Sequence, residues 1–392
     1  MRLFFLGILI CLGAISFSQK LKVGILRGYD LTSVKIGYNN GNYRIIGDST
    51  ELTTIWKGQS VYFRRSGQGV KVEKAGKNLG VYDTVYVQEV SQDCNFTIQP
   101  INPSSSKVRK YEDDLMIVAS GKTEITVINE VELENYLGGV IESEGGGGKH
   151  KEYYKVQAIL SRTYVLDHLR KHRKEGFSVC DRVHCQAYHS MLRFTPTIKE
   201  AVAETKGIIM IDEHLKLADG FFFANCGGQT SESDFVWNVA VPYCRSIVDT
   251  FCIQSRQATW TKKIEKSTWK NYLTNHFGYP LKDSIFGQSI YTFNQPMRKA
   301  FYVAPQLGIP LRDLRVKFKL KSTWFSTHEE GGYVVLEGKG FGHGVGLCQE
   351  GAMKMAKLNY SYEQILNFYF TNVQLFDYFH WLFLKQEEEV GL

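Results

Sequence analysis

Between Lys20 and Ile128 apolar and polar residues alternate in short runs: LKVGIL, SVKIGY, YRIIG, SVYFRR, TVYVQEV and EITVIN. Each run is closed by Gly, Asn, Asp or Ser, and the alternation is carried by β-branched and aromatic residues. That pattern predicts half-buried strands joined by turns. A β-rich region over 19–130 follows, with NPSSSK at 102–107 as an exposed loop. After Glu130 the period lengthens. Within 149–172 (KHKEYYKVQAILSRTYVLDHLRKH), Val156, Ile159, Leu160, Thr163 and Leu166 recur at helical spacing, which predicts one long helix. Gln157, Ser161 and Tyr164 share one side of it, either as its wet face or as a polar stripe lining a groove. Strands return at 207–212 (GIIMID) and 217–225 (LADGFFFAN), the latter running into the turn NCGGQTSE. A Gly-rich loop, GKGFGHGVGLCQEGA at 338–352, leads into a helix around Ala352–Leu358; a second helix is expected over 361–370, and then a tail at 378–392. The pattern as a whole is that of an α+β protein.

Composition narrows the class. With 392 residues, 43% of them hydrophobic, the chain can bury a sizeable core and forms one large or two ordinary domains. Its net charge of +7 is scattered, and the basic tract HLRKHRK at 168–174 reads as an exposed helix face rather than a nucleic-acid stripe. A mild positive balance also suits an anionic polymer such as a cell wall. Residues 1–18 combine an early Arg, an apolar run and small residues at Ser16 and Ser18, the layout of a cleavable export signal. The run is short for a membrane span, which needs about 20 residues. Export would make disulfides possible among the seven cysteines beyond Cys11, and Cys244 and Cys252 are close enough in sequence to pair.

Four local constellations could carry chemistry. In ESEGGGGKH (142–150), Glu142 and Glu144 stand two apart, so they point to opposite sides of a strand and about 200° apart on a helix. They therefore do not form an acid–base pair, and the segment is either a solvated loop or the seat of one working carboxyl. GKGFGHGVG lacks the phosphate-loop signature and the strand and ribose-binding acid of a dinucleotide site, which argues against nucleotide binding. Its glycines flank His343 and suggest a groove floor, or a histidine satisfied by the core. In CDRVHCQAYH (180–189), Cys180, His184 and Cys185, with His172 upstream, offer the four soft ligands of a structural zinc site; a Cys180–Cys185 disulfide is the alternative. Finally, Cys348 five residues after His343, or Cys226 in its Gly turn, could be a thiol nucleophile if a histidine lay beside it.

Four segments, LENYLGGVIESE (133–144), KVQAILSRTY (155–164), FFFANCGGQTSES (221–233) and GKGFGHGVGLCQEGA (338–352), occur in an order that resembles the SpoIID family, the sporulation protein D and amidase-enhancer relatives. The resemblance spans about 111–375 and implies a catalytic portion at 131–377. It further implies a secreted lytic transglycosylase that cuts peptidoglycan glycan strands and leaves 1,6-anhydro-muramoyl ends. The family's catalytic acid falls on Glu144. Its helix motif carries over to Lys155, Gln157, Arg162 and Tyr164, its polar turn to Asn225, Gly227, Gly228 and Thr230, and its last motif to His343 and Gln349. Zinc-binding members would match at Cys180, His184 and Cys185, with His172 a looser fourth. The chain departs from the family pattern in the GGGG after Glu144 and in Phe341, Cys348 and Glu350, which replace a Trp, a small residue and an aromatic. A wall-binding protein that stimulates a separate amidase is the non-enzymatic reading.

Overall fold

The structure is a computed structural model describing residues 19–390 apart from Gln92. The export signal expected at 1–18 lies outside the described residues. The chain divides into two compact units between Tyr136 and Leu137.

The first unit is built of strands: β1 (Lys20–Ile25), β2 (Ser33–Asn40), β3 (Tyr43–Gly47), β4 (Thr50–Ile55), β5 (Ser60–Ser66), β6 (Gly69–Lys74), β7 (Lys77–Tyr82), β8 (Thr84–Glu89), β9 (Asn95–Asn102), β10 (Arg109–Glu112), β11 (Asp114–Ser120) and β12 (Glu124–Glu132). Antiparallel pairing orders β1-β12-β11-β8-β3-β4 in one sheet. A second sheet runs β10-β9-β2-β5-β6-β7. Every second residue turns inward, so Val34 and Ile36, Val61 and Phe63, Val85 and Val87, and Phe96 and Ile98 are all buried. This is the period-two alternation of the sequence, expressed as a core between sheet faces.

The second unit is arranged around two helices. α1 (Leu133–Gly145) follows directly on β12, and α2 (Lys151–Asp167) follows after five residues. α2 is buried on nearly every side. It packs against α3 (Pro196–Glu204), against the strand Ile208–Asp212, and against the helices Gln349–Lys357 and Tyr362–Tyr369. The strand Ile208–Asp212 pairs antiparallel with Val373–Asp377. The helices expected near 352–358 and 361–370 are therefore present, the first beginning earlier, at Gln349. Of the expected strand 217–225 only Phe222–Phe223 is regular, paired in parallel with Leu347–Cys348.

Two differences from expectation stand out. The long helix ends at Asp167, so the basic tract 168–174 is not a helix face: the His168 ring nitrogen Nδ1 bonds the Tyr164 carbonyl at 2.9 Å, and the chain turns away. Between Thr259 and Lys339 a three-stranded sheet, Thr259–Glu265, Tyr333–Lys339 and Phe325–Glu330, packs with the helix Lys266–Phe277 on a second core. That core is strongly aromatic, holding Trp260, Trp269, Phe293, Tyr302, Phe318 and Phe325.

Candidate functional site

The motif YLGGVIESE forms the body of α1. Gly138 and Gly139 leave its surface bare so that the 185–195 segment can lie against it. A Cβ at Gly139 would stand 2.4 Å from the Ser190 carbonyl oxygen and 2.5 Å from the Tyr188 ring. Gly146 closes the helix with a left-handed φ of 64° and an N–H bond to the Glu142 carbonyl at 3.1 Å.

The two glutamates diverge as their spacing requires. Glu142 accepts from the backbone N–H of Arg193 and of Phe194, both at 3.0 Å, one on each carboxylate oxygen. Glu144 accepts from the N–H of Ala187 at 2.7 Å. Its carboxyl is half-buried, and desolvation pushes its pKa above the ordinary value of 4.5 against the opposing pull of the Ala187 bond. A cleft of about 640 Å³ opens beside the helix, lined by Glu142, Gly147, His189, Arg193 and Phe194 among others. Glu144 does not line that cleft; its neighbours are Ala187 and Tyr153, whose hydroxyl feels the Glu144 charge.

Along α2 the predicted polar stripe is not a wet face. Gln157 and Ser161 are buried, and Gln157 Nε2 and Ser161 Oγ lack a hydrogen-bond partner among the described residues. Tyr153 Oη and Gln349 Nε2 are in the same condition. These two side chains lie near enough to interact but short of a well-formed hydrogen bond. Tyr153 was not singled out in the sequence, although it lies four residues before Gln157 on the same stripe. Tyr164, further along, accepts from Lys171 Nζ at 3.0 Å and stacks on His168. The other two residues of the helix motif are engaged elsewhere: Arg162 donates to the Ile208 carbonyl at 3.0 Å, and Lys155 forms ion pairs with Glu152 and Glu204.

The turn after Phe223 and the His343 loop meet beside the short parallel strands. Asn225 is fully buried; its amide donates to Glu350 Oε2 at 2.5 Å and Ser255 Oγ at 2.7 Å, and its oxygen accepts the Gly227 N–H at 2.7 Å. Gly228 N–H points at Cys226 Sγ, and Thr230 Oγ1 accepts the Ile247 N–H at 2.8 Å. His343 Nδ1 accepts from Val345 N–H at 3.2 Å, which leaves Nε2 protonated to donate to the Phe222 carbonyl at 3.0 Å. Although His343 as a whole is half-buried, desolvation by the surrounding protein, with the guanidinia of Arg315 and Arg298, lowers its pKa to about 4, opposed by the Phe222 bond. The imidazole is thus neutral at ordinary pH, and Trp237 and Phe223 stand 5.4 Å from it. With both nitrogens committed to the backbone, His343 does not activate Cys348, and no Cys–His nucleophile forms there.

The Cys/His cluster assembles. Ligand atoms of His172, Cys180, His184 and Cys185 lie within 4.8 Å of one another. His172 Nδ1 is 2.5 Å from Glu175 Oε1, and because a carboxylate only accepts, Nε2 keeps its lone pair for the site, 3.4 Å from Cys185 Sγ. A carboxylate behind a metal-binding imidazole is the usual outer partner of such a ligand. Both cysteines are free thiols. Two sulfurs and two imidazoles in this arrangement fit a closed tetrahedral zinc site. Cys244 and Cys252, close in sequence, are not bonded; Cys252 Sγ lies instead 3.2 Å from Cys226 Sγ.

Comparison with known proteins agrees with the motif order. The profile described as SpoIID, Stage II sporulation protein, matches residues 121–211, which contain α1, α2 and the Cys/His cluster. The chain carries a SpoIID-family segment. Stage II sporulation protein D of Bacillus subtilis is 27% identical over 268 residues, covering 63% of this chain and 75% of its own. The amidase enhancer of the same organism is 26% identical, covering 62% of this chain and 40% of its own. An uncharacterised protein of Brachyspira hyodysenteriae is 29% identical over 350 residues, 88% of this chain and 89% of its own. The SpoIID match includes Glu144 and ends before the His343 loop.

Proposed function

We propose that the chain acts on the bacterial cell wall as an exported peptidoglycan lytic transglycosylase, with Glu144 as acid and then base. The observation that carries this reading is the state of Glu144: a half-buried carboxyl with a raised pKa and one backbone donor, while Glu142 is tied to two amides. A protonated Glu144 gives its proton to the bridging glycosidic oxygen as the C1–O bond breaks. The carboxylate so formed takes the proton of the muramoyl C6 hydroxyl while that oxygen bonds to C1. The proton is returned, no water is consumed, and the product carries a 1,6-anhydro ring. Because the nucleophile belongs to the substrate, the second carboxylate of an ordinary glycosidase has no task.

Tyr153, Gln157, Ser161 and Gln349 carry enclosed polar atoms without a partner among the described residues, and a sugar-binding role for this face requires that substrate uncover them. Each costs about 1–3 kcal/mol if left unsatisfied, and hydroxyl or acetamido groups would satisfy them. Asn225, Gly227, Gly228 and Thr230 shape the adjoining turn, and neutral His343 braces it beside Trp237. His172, Cys180, His184 and Cys185 would hold a zinc ion whose four protein ligands leave no open position, so its contribution is structural. Cys185 lies two residues before the Ala187 N–H that meets Glu144, which makes this cluster an anchor for the catalytic carboxyl.

The name of the amidase-enhancer relative favours a second reading, a wall-binding protein that stimulates a separate amidase. Purified protein incubated with glycan strands distinguishes the two by mass spectrometry. Release of 1,6-anhydro-muramoyl ends, reduced about 10²–10⁴-fold by Glu144→Gln, is expected of the enzyme. No release, with co-sedimentation on cell walls retained, would replace the enzyme with the binding protein.

A further inference from the structure

Outside the Cys180 cluster, three cysteines distant in sequence converge with one aspartate. Cys226, Asp249, Cys252 and Cys348 are all buried, and their ligand atoms lie within 4.8 Å of one another. Cys226 Sγ is 3.2 Å from Cys252 Sγ and 3.2 Å from Asp249 Oδ2. The backbone is arranged to favour thiolates. Gly228 N–H points at Cys226 Sγ at 3.3 Å, while Cys348 Sγ receives the N–H groups of Cys226 at 3.2 Å and of Gly351 at 3.4 Å. The carboxylate is oriented from behind by Tyr369 Oη on Oδ2 and Phe251 N–H on Oδ1, both at 2.9 Å.

Charge points the same way. Arg298 is a buried cation held by the carbonyls of Cys226 and Gln229 at 2.8 and 2.7 Å, and its Nη1 has no partner among the described residues. Three thiolates and a carboxylate around a divalent ion carry a net negative charge that this guanidinium would partly offset. A Cys226–Cys252 disulfide, by contrast, would leave the Cys348 thiol and the Asp249 carboxyl buried against sulfur with no ion to use their ligand atoms.

We propose that Cys226, Cys252, Cys348 and Asp249 bind a second, structural, thiophilic divalent cation of the zinc class. A tetrahedral zinc ion holds thiolate ligands about 3.7 Å apart, within reach of these positions by small adjustments. Its place in the fold gives it a purpose. It would join the turn carrying Asn225, Gly227 and Gly228, the segment 249–252, and the first turn of the helix that begins at Gln349. Three segments, the outermost 122 positions apart in sequence, would be cross-linked, independently of the Cys180 site.

The test is metal stoichiometry of the full chain, isolated after export without added metal or reductant. Two zinc ions per chain are expected. His184→Ala, at an exposed ligand of the Cys180 cluster, should leave one. Adding Asp249→Asn to that variant should remove the remaining ion. Cobalt loaded into the His184→Ala protein should show the stronger thiolate charge-transfer absorption of three sulfurs rather than two. A single zinc in the wild-type chain that disappears in His184→Ala overturns the proposal. So does a Cys226–Cys252 disulfide peptide in a non-reduced digest. Neither result depends on whether the Asp249 variant folds.

Discussion

Two carboxylates separated by one residue stand in opposite settings here, and the geometry says why. Glu142 spends both oxygens on the amides of Arg193 and Phe194, whereas Glu144 keeps most of its hydrogen-bonding capacity free and lies in a desolvated setting. Burial penalises the ionised form of Glu144, so its folded pKa stands above 4.5. Its contribution to stability is therefore fully present below the ordinary glutamate pKa and is lost as pH rises through the raised folded value. Glu144→Gln keeps an oxygen for the Ala187 N–H and removes the ionisation. The variant should match the wild type in thermal stability near pH 4 and exceed it increasingly toward pH 8, by parallel denaturation scans. A difference independent of pH would mean that the carboxyl is not desolvated. Under the proposed mechanism this is the trade of stability for reactivity expected of a catalytic acid. Glu144 was legible as a candidate from motif order. The partners were not: Ala187 contributes a backbone amide, which no side-chain pattern records.

Among the elements, the strands of the first unit were the most legible, because antiparallel sheets with one buried face write a period of two into the chain. α2 was legible as a helix but not in its surroundings; burial on nearly every side hides which polar residues are wet and which are enclosed. α1 went unread because Gly138, Gly139 and β-branched residues lower its helix signal, and tertiary contact decides the matter. Those glycines answer to the 185–195 segment. Gly139→Ala would force a methyl against the Ser190 carbonyl, a backbone atom that cannot swing aside. A loss of about 1–3 kcal/mol in denaturant-induced unfolding is expected, with glycan cleavage falling as Ala187 moves from Glu144. An unchanged midpoint would show that α1 and the segment do not meet so closely. The aromatic core of 259–339 also escaped the sequence reading, since its short elements are joined by long irregular connections and carry no sustained period.

At the scale of the whole molecule, each unit has its own core, and the candidate chemistry belongs to the second. No helix among the described residues is long and apolar enough to cross a membrane. Distant segments of the second unit meet at Cys226, Asp249, Cys252 and Cys348, and cysteine positions at 226, 252 and 348 carry no local spacing from which such a cluster could be foreseen. The Cys180 cluster was visible because its ligands are close in sequence. If it anchors Ala187, His184→Ala should lower glycan cleavage several-fold and reduce the melting temperature. Treatment of the wild type with a strong chelator should reproduce both effects, measured by calorimetry and product release. A chelated protein with full activity and an unchanged melting temperature would separate the cluster from the site.

Glu144 also occupies the last turn of α1, with no basic residue there to offset it. The aligned peptide dipoles of a helix place roughly half a negative charge at that end, and a carboxylate added to it is disfavoured by about 0.3–1 kcal/mol. An ordinary surface helix would avoid the arrangement. Here it means that water reaching the carboxyl would not by itself return Glu144 to an ordinary acid strength. Part of its readiness to hold a proton is carried by the backbone that presents it.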